Sequence, residues 1–130
     1  MAEREAEIRV LEDEILLAFE RLRTRLTDQY GPALCGRSRA VFIDLADDVV
    51  YKVPRNPDGV IDNSYEARHT DPGIPLAECE IVQIDDLPVL KMEHVNPYHG
   101  PMDELPEWTN WVDGGQVGYT KDGRLVAYDL

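Results

Sequence analysis

One lysine limits the folds open to this chain more than any other residue. Lys52 sits in Val49-Val-Tyr-Lys52-Val-Pro54, a run of β-branched and aromatic residues that reads as a strand. A strand core would surround its ammonium with apolar atoms, so the fold has to supply a carboxylate or a phosphate as partner. Glu66, fourteen residues later, is the candidate within the chain.

The flanking sequence builds a sheet around that strand. Val41, Ile43 and Leu45 alternate, Leu45-Ala-Asp-Asp48 makes a polar turn, and Val49, Tyr51 and Val53 alternate again, so Leu34 to Val53 reads as an antiparallel meander. Pro54 to Asp62, with Asn56, Pro57, Asp58 and Gly59, reads as a loop. Asp62 or Asn63 then caps a short helix through Tyr65, Glu66 and Arg68 that ends before Pro72. Two more strands follow, Ala77 to Ile84 and Val89 to Glu93, joined by Asp85-Asp86. Asn96 to Pro106, broken by prolines and a glycine, reads as irregular. A Lys-Asp-Gly turn with Val117 and Tyr119 before it and Leu125 and Ala127 after it predicts a closing hairpin that runs to Asp129.

Ahead of the sheet, Ala2 to about Gln29 places Ile8, Leu11, Ile15, Leu22 and Leu26 near one face, with Phe19 beside them. Gly31 and Pro32 stop this amphipathic helix. Its spacings of three and four admit a coiled-coil seam as well as packing onto the rest of the chain, although Glu12 and Arg23 leave that seam short. The fold class expected is α+β: residues 1–30 a long helix, residues 31–130 an antiparallel sheet with a short helix, all in one domain.

Charge narrows the partners. With 26 acidic against 13 basic residues in 130, the net charge of -13 repels phosphate backbones and anionic membranes, so neither nucleic acid nor membrane is expected. No apolar stretch suits a signal peptide or a membrane span, which points to the cytoplasm. Cys35 and Cys79 lack metal spacing and read as reduced, buried thiols. His94 and His99 read as surface histidines, because Pro97 and Gly100 exclude the helix that would align them with Glu93 on a metal. Trp108 and Trp111 read as core residues on a helical turn.

The order of elements is hairpin, lysine strand, short helix with a glutamate, two strands, a connection, then a hairpin with an Asp. That order resembles the amino-terminal lobe of the protein-kinase-like fold, over roughly Leu34 to Leu130. Small kinase-like proteins of phage and prophage genomes are the nearest comparison. The resemblance implies ATP and magnesium as ligands. Lys52 matches the strand lysine that contacts phosphates, and Glu66 matches the helix glutamate that pairs with it. Gly36, Arg37 and Arg39 stand where a glycine-rich hairpin covers the phosphates. Met92-Glu93-His94-Val95 stands where backbone groups bind adenine, which makes Glu93 and Val95 base-binding positions. Gln116 and Asp129 match the metal-binding Asn and Asp.

Departures bear on catalysis. The loop at Gly36 has a single glycine, Gln116 replaces Asn, and the catalytic Asp falls in register at Trp111, with Asp113 the substitute if the loop were rebuilt. Asp129 is followed by Leu130, with no helical substrate lobe expected after it. The sequence therefore reads as a minimal, noncatalytic kinase-like protein that binds ATP and magnesium and acts through an unidentified protein partner, with a homodimer through the first helix as a further option. Two alternatives are an active small phosphotransferase completed by dimerisation and an acidic inhibitor of a basic host protein that uses no nucleotide.

Overall fold

The computed structural model describes residues 2–112 and 116–128, with side chains from Asp13 onward. It has an α+β architecture in which a long helix covers one face of an antiparallel sheet. Helix α1 (Ala2–Tyr30) stops where the sequence placed its end. Gly31 adopts a φ of +89° and its N–H bonds the Thr27 carbonyl at 2.9 Å, a left-handed C-terminal cap open to glycine at little cost.

Strands β1 (Leu34–Cys35), β2 (Arg39–Asp44) and β3 (Val49–Pro54) form the expected meander. Helix α2 (Pro57–Arg68) crosses to β4 (Cys79–Ile84), and β5 (Leu87–Glu93) returns beside β3. The order β1-β2-β3-β5-β4 makes β3 the central strand, so Lys52 lies in mid-sheet. Asp85 and Asp86, with φ of +51° and +63°, make the tight β4–β5 turn whose twist suits a hairpin. Strands β6 (Val95–Pro97), β7 (Val117–Thr120) and β8 (Leu125–Ala127) form a second sheet, with Gly123 at φ +89° in the closing turn. β6 falls in a stretch expected to be irregular from Asn96 on; its pairing partner is distant in sequence, and local patterning does not reveal it.

Three apolar clusters hold these layers. Phe19, Leu22 and Leu26 of α1 pack on Ala40, Phe42, Val53 and Val89. Val50, Met92, Ala77, Val95 and Val126 join the two sheets, and Val112, Val117 and Ala127 gather Trp108 and Leu105. Backbone bonds from Ala77 N to Ala127 O (2.9 Å) and from Ala127 N to Pro75 O (2.8 Å) tie the segment ahead of β4 to β8.

Four local expectations are corrected. α2 begins at Pro57 rather than near Asp62, because the Asn56 side chain accepts the Gly59 N–H at 3.1 Å and Pro57 takes the first helical position. Asn63 is therefore a buried residue inside the helix and not a cap. Cys35 is exposed, because β1 is a two-residue edge strand, and Cys79 is half-buried; both are free thiols. Trp108 packs inward, but Trp111 on the same 3-10 turn is 64% exposed. Among the described residues, no helix is long and apolar enough to cross a membrane.

Candidate functional site

α2 docks on the sheet with its polar side. Its buried residues are Gly59, Asn63 and Glu66, while Val60, Ile61 and Tyr65 face outward. The Asn63 amide donates to the Lys52 carbonyl at 2.8 Å. Glu66 accepts the Lys52 ammonium on Oε1 at 2.8 Å, and its Oε2 takes the Arg39 guanidinium from β2. That guanidinium also reaches Asn63 Oδ1 at 3.2 Å. Lys52 is 2% exposed and Glu66 7%, so the expected pair forms out of water, and a second cation shares the same carboxylate. Arg39 thus turns its guanidinium to Glu66.

Above this ion cluster lies a cleft of about 440 Å³, within the range of small-molecule sites. One end is apolar: Val41 and Ile43 of β2, Val50 of β3, Met92 of β5, and Val95, Pro97 and Tyr128. Gly36, Arg37, Ser38, Arg39 and Lys52 line the other end. The turn at that end is tight, with Gly36 N–H on the Arg39 carbonyl at 2.9 Å, and it is clamped from the far side. Arg55 donates to the Gly36 carbonyl (2.5 Å), Asn56 to the Arg37 carbonyl (3.2 Å), and Ser38 to the Asp62 carboxylate (2.6 Å). A groove of about 510 Å³ over β4 and β5 has Glu78, Glu80 and Glu93 among its six lining residues, so it disfavours anions.

The edge of β6 borders the apolar end. Tyr98 N–H bonds the Val117 carbonyl at 3.0 Å, and Thr120 N–H turns the other way, to the Arg124 carbonyl at 2.9 Å. With Val95 opposite Thr120, antiparallel alternation makes Asn96 and Tyr119 the bonded pair and turns the Val95 N–H and carbonyl away from β7.

No family model, curated protein or solved structure matches this chain. Its site is therefore read from geometry.

Of the residues singled out in the sequence, the fold brings Gly36, Arg37, Arg39, Lys52 and Val95 to one cleft and sets Glu66 against Lys52 and Arg39. Glu93 is not among the cleft-lining residues. Its carboxylate takes Arg124 at 2.9 Å, and its N–H is bound to the Glu78 carbonyl. Gln116 precedes β7 and its carbonyl accepts the Tyr128 N–H at 3.0 Å. Asp113 and Asp129 lie outside the described residues. Pattern reading missed Asn63, Ser38 and Tyr128 as site residues, and it read His94 as a surface histidine, whereas that ring is half-buried on the cleft rim with Nδ1 3.2 Å from Asp48 Oδ1. The signal for Val41 and Ile43 was present: both faces of β2 are apolar, so both have to be covered.

Three further groups are tuned by their surroundings. Burial pushes the Cys79 thiol up from its ordinary value, and the nearby Glu66 carboxylate adds to this. A hydrogen bond from Thr120 and a second from Arg124 hold the Asp122 carboxyl below its ordinary range, and Arg124 is raised in turn by Asp122 and Glu93. Arg124 thereby ties the β7–β8 turn to the end of β5.

Proposed function

We propose that this protein is a noncatalytic, kinase-like nucleotide-binding protein, which takes ATP with magnesium in the cleft and works by binding a protein partner. The observation that carries the reading is the buried Lys52–Glu66 pair at the polar end of an apolar cleft. A ligand with a flat ring at one end and phosphates at the other suits that division. The ring lies between Val41, Val50 and Met92, within reach of the outward backbone groups of Val95. The phosphates lie toward Lys52, Arg39 and Arg37. With Arg55 behind the turn, four of the chain's 13 cations collect here against an acidic background. Gln116 and Asp129 are the oxygen donors this reading assigns to magnesium.

This reading gives phosphate transfer no general base. The in-register position of the general base is Trp111, an exposed indole that accepts no proton. The test is thermal unfolding with and without millimolar ATP and magnesium. At 100 times its dissociation constant a ligand adds about 2.7 kcal/mol, several degrees for a chain of this length. The rise is expected to shrink in Arg37→Ala, whose side chain is exposed, and to vanish in Lys52→Ala. A melting temperature indifferent to nucleotide would refute the reading.

A further inference from the structure

Strand β4 is an outer strand of the five-stranded sheet, and its six residues, Cys79 to Ile84, run in unbroken register with β5. Two observations fix which of its backbone groups face outward. The Glu93 N–H bonds the Glu78 carbonyl at 2.9 Å, and the two-residue turn at Asp85-Asp86 closes on Ile84 and Leu87. Antiparallel alternation then gives Glu80, Val82 and Ile84 to the β5 ladder and turns the N–H and carbonyl groups of Cys79, Ile81 and Gln83 away from it. Gln83 lies opposite Pro88, which has no N–H to offer a ladder, as that assignment requires. Among the described residues no backbone hydrogen bond reaches the outward groups. An exposed edge of this length is ordinarily blunted by a proline, a bulge or a lysine, and β4 has none of these.

Charge selects the occupant. Glu78 and Glu80 line the groove of about 510 Å³ over β4 and β5, and among the described residues neither makes an ion pair. Glu93 is already taken by Arg124, and Lys91 lies directly across from Glu80 without pairing to it. On the opposite face of the strand Ile81 is 39% exposed. A second copy fits this edge poorly. Pairing all three outward residues about a two-fold axis centres on Ile81 and sets the two Glu80 carboxylates diagonal to each other, between chains that each carry a net charge of -13. The carboxylates that repel a copy attract a basic segment. We infer that β4 takes an extended segment of another protein as a further antiparallel strand, with lysine or arginine opposite Glu78 and Glu80 and apolar residues on the Ile81 face. This rests on the partner-binding part of the proposed function and gives that partner a docking edge and a chemistry; it does not depend on nucleotide.

The probe is a capped peptide of about eight residues, alternating valine and lysine, added to the full chain and followed by native-state amide hydrogen exchange. Exchange at Ile81 and Gln83 is expected to slow by about tenfold or more, and far more than at Val82, which is already in the β5 ladder. Gln83→Pro removes one outward N–H and no ladder bond, so it is expected to keep the fold and lose the protection. Glu78→Lys/Glu80→Lys is expected to transfer binding to a valine–glutamate peptide, and it decides the matter alone if Gln83→Pro fails to fold. Unprotected amides at Ile81 and Gln83, equal binding of a glycine–lysine peptide, or binding that survives Gln83→Pro would overturn the proposal. A dimer formed through β4 would give the edge to a second copy and overturn it as well. The nucleotide-dependent melting shift is expected in wild type and Gln83→Pro alike. Loss of peptide protection with that shift intact counts against the edge alone, and loss of the shift with protection intact counts against the nucleotide site alone.

Discussion

Replacing Glu66 by alanine is the sharpest test of the structural reasoning. Glu66 is 7% exposed and its two carboxylate oxygens take Lys52 and Arg39 separately, so the substitution withdraws the shared anion from two largely buried cations. Breaking a buried pair from one side costs about 3–5 kcal/mol, since the remaining charge stays desolvated. For a chain of this length each kcal/mol lowers the melting temperature by about 3–5 °C, so a fall of about 9–25 °C is expected. Lys52→Met is milder, about 1–2 kcal/mol, because Glu66 keeps Arg39 and the methionine fills the volume of the lysine stem. Urea titrations of both single variants and of Lys52→Met/Glu66→Ala give the coupling, expected at about 1–3 kcal/mol. A Glu66→Ala cost below about 1 kcal/mol, with no coupling to Lys52, would place the pair among solvated surface contacts and refute the argument.

On α2, Asn63→Ala is expected to cost about 1–3 kcal/mol by removing the buried hydrogen bonds that the amide makes to the Lys52 carbonyl and to Arg39, and Ile61→Ser less than about 0.5 kcal/mol; chemical denaturation of the two compares a buried polar contact with an exposed apolar one. Cys35 is expected to react with a thiol reagent in the native protein well before Cys79, which is partly buried and held protonated; equal rates would contradict the fold around β4. The folded Asp122 carboxyl titrates below its unfolded value of 3.8, so its stabilisation is complete above that pH and is lost as pH falls through the folded value. The stability gap between the wild type and Asp122→Asn is therefore expected to close in that acid window.

The parts of the fold legible in the sequence are those specified by neighbours along the chain. The end of α1 follows from Gly31, the meander from alternation, and the β4–β5 turn from Asp85-Asp86, whose side chains tolerate positive φ. The start of α2 was not legible because Asn56-Pro57-Asp58-Gly59 is equally a turn sequence and a helix start. The Asn56 cap is seated by tertiary contact as well: a Cβ on Gly59 would fall 2.9 Å from the Pro54 Cα, so the backbones there touch. Likewise, Lys52 required an anion, and Glu66 was the nearest one with a helix to carry it. The partner of Arg39 depends on the β2–β3 register and the placement of α2 together, and no local pattern encodes it.

α2 shows what that division implies for the site. A helix that docks by apolar area is held whatever its ligands do, but α2 turns Ile61 and Tyr65 to solvent and meets the sheet through Asn63, Glu66 and the bare backbone at Gly59. Its position therefore depends on charged and hydrogen-bonded contacts to Lys52 and Arg39, two of the cations that line the cleft. Apolar packing of α1 stabilises the far face of the sheet independently of these contacts. The chain thus separates a rigid layer, fixed by Phe19, Leu22 and Phe42, from a polar layer whose geometry is set by the same atoms that would meet an anion. Substitutions in the first layer act on stability alone, whereas those in the second act on stability and on the cleft together.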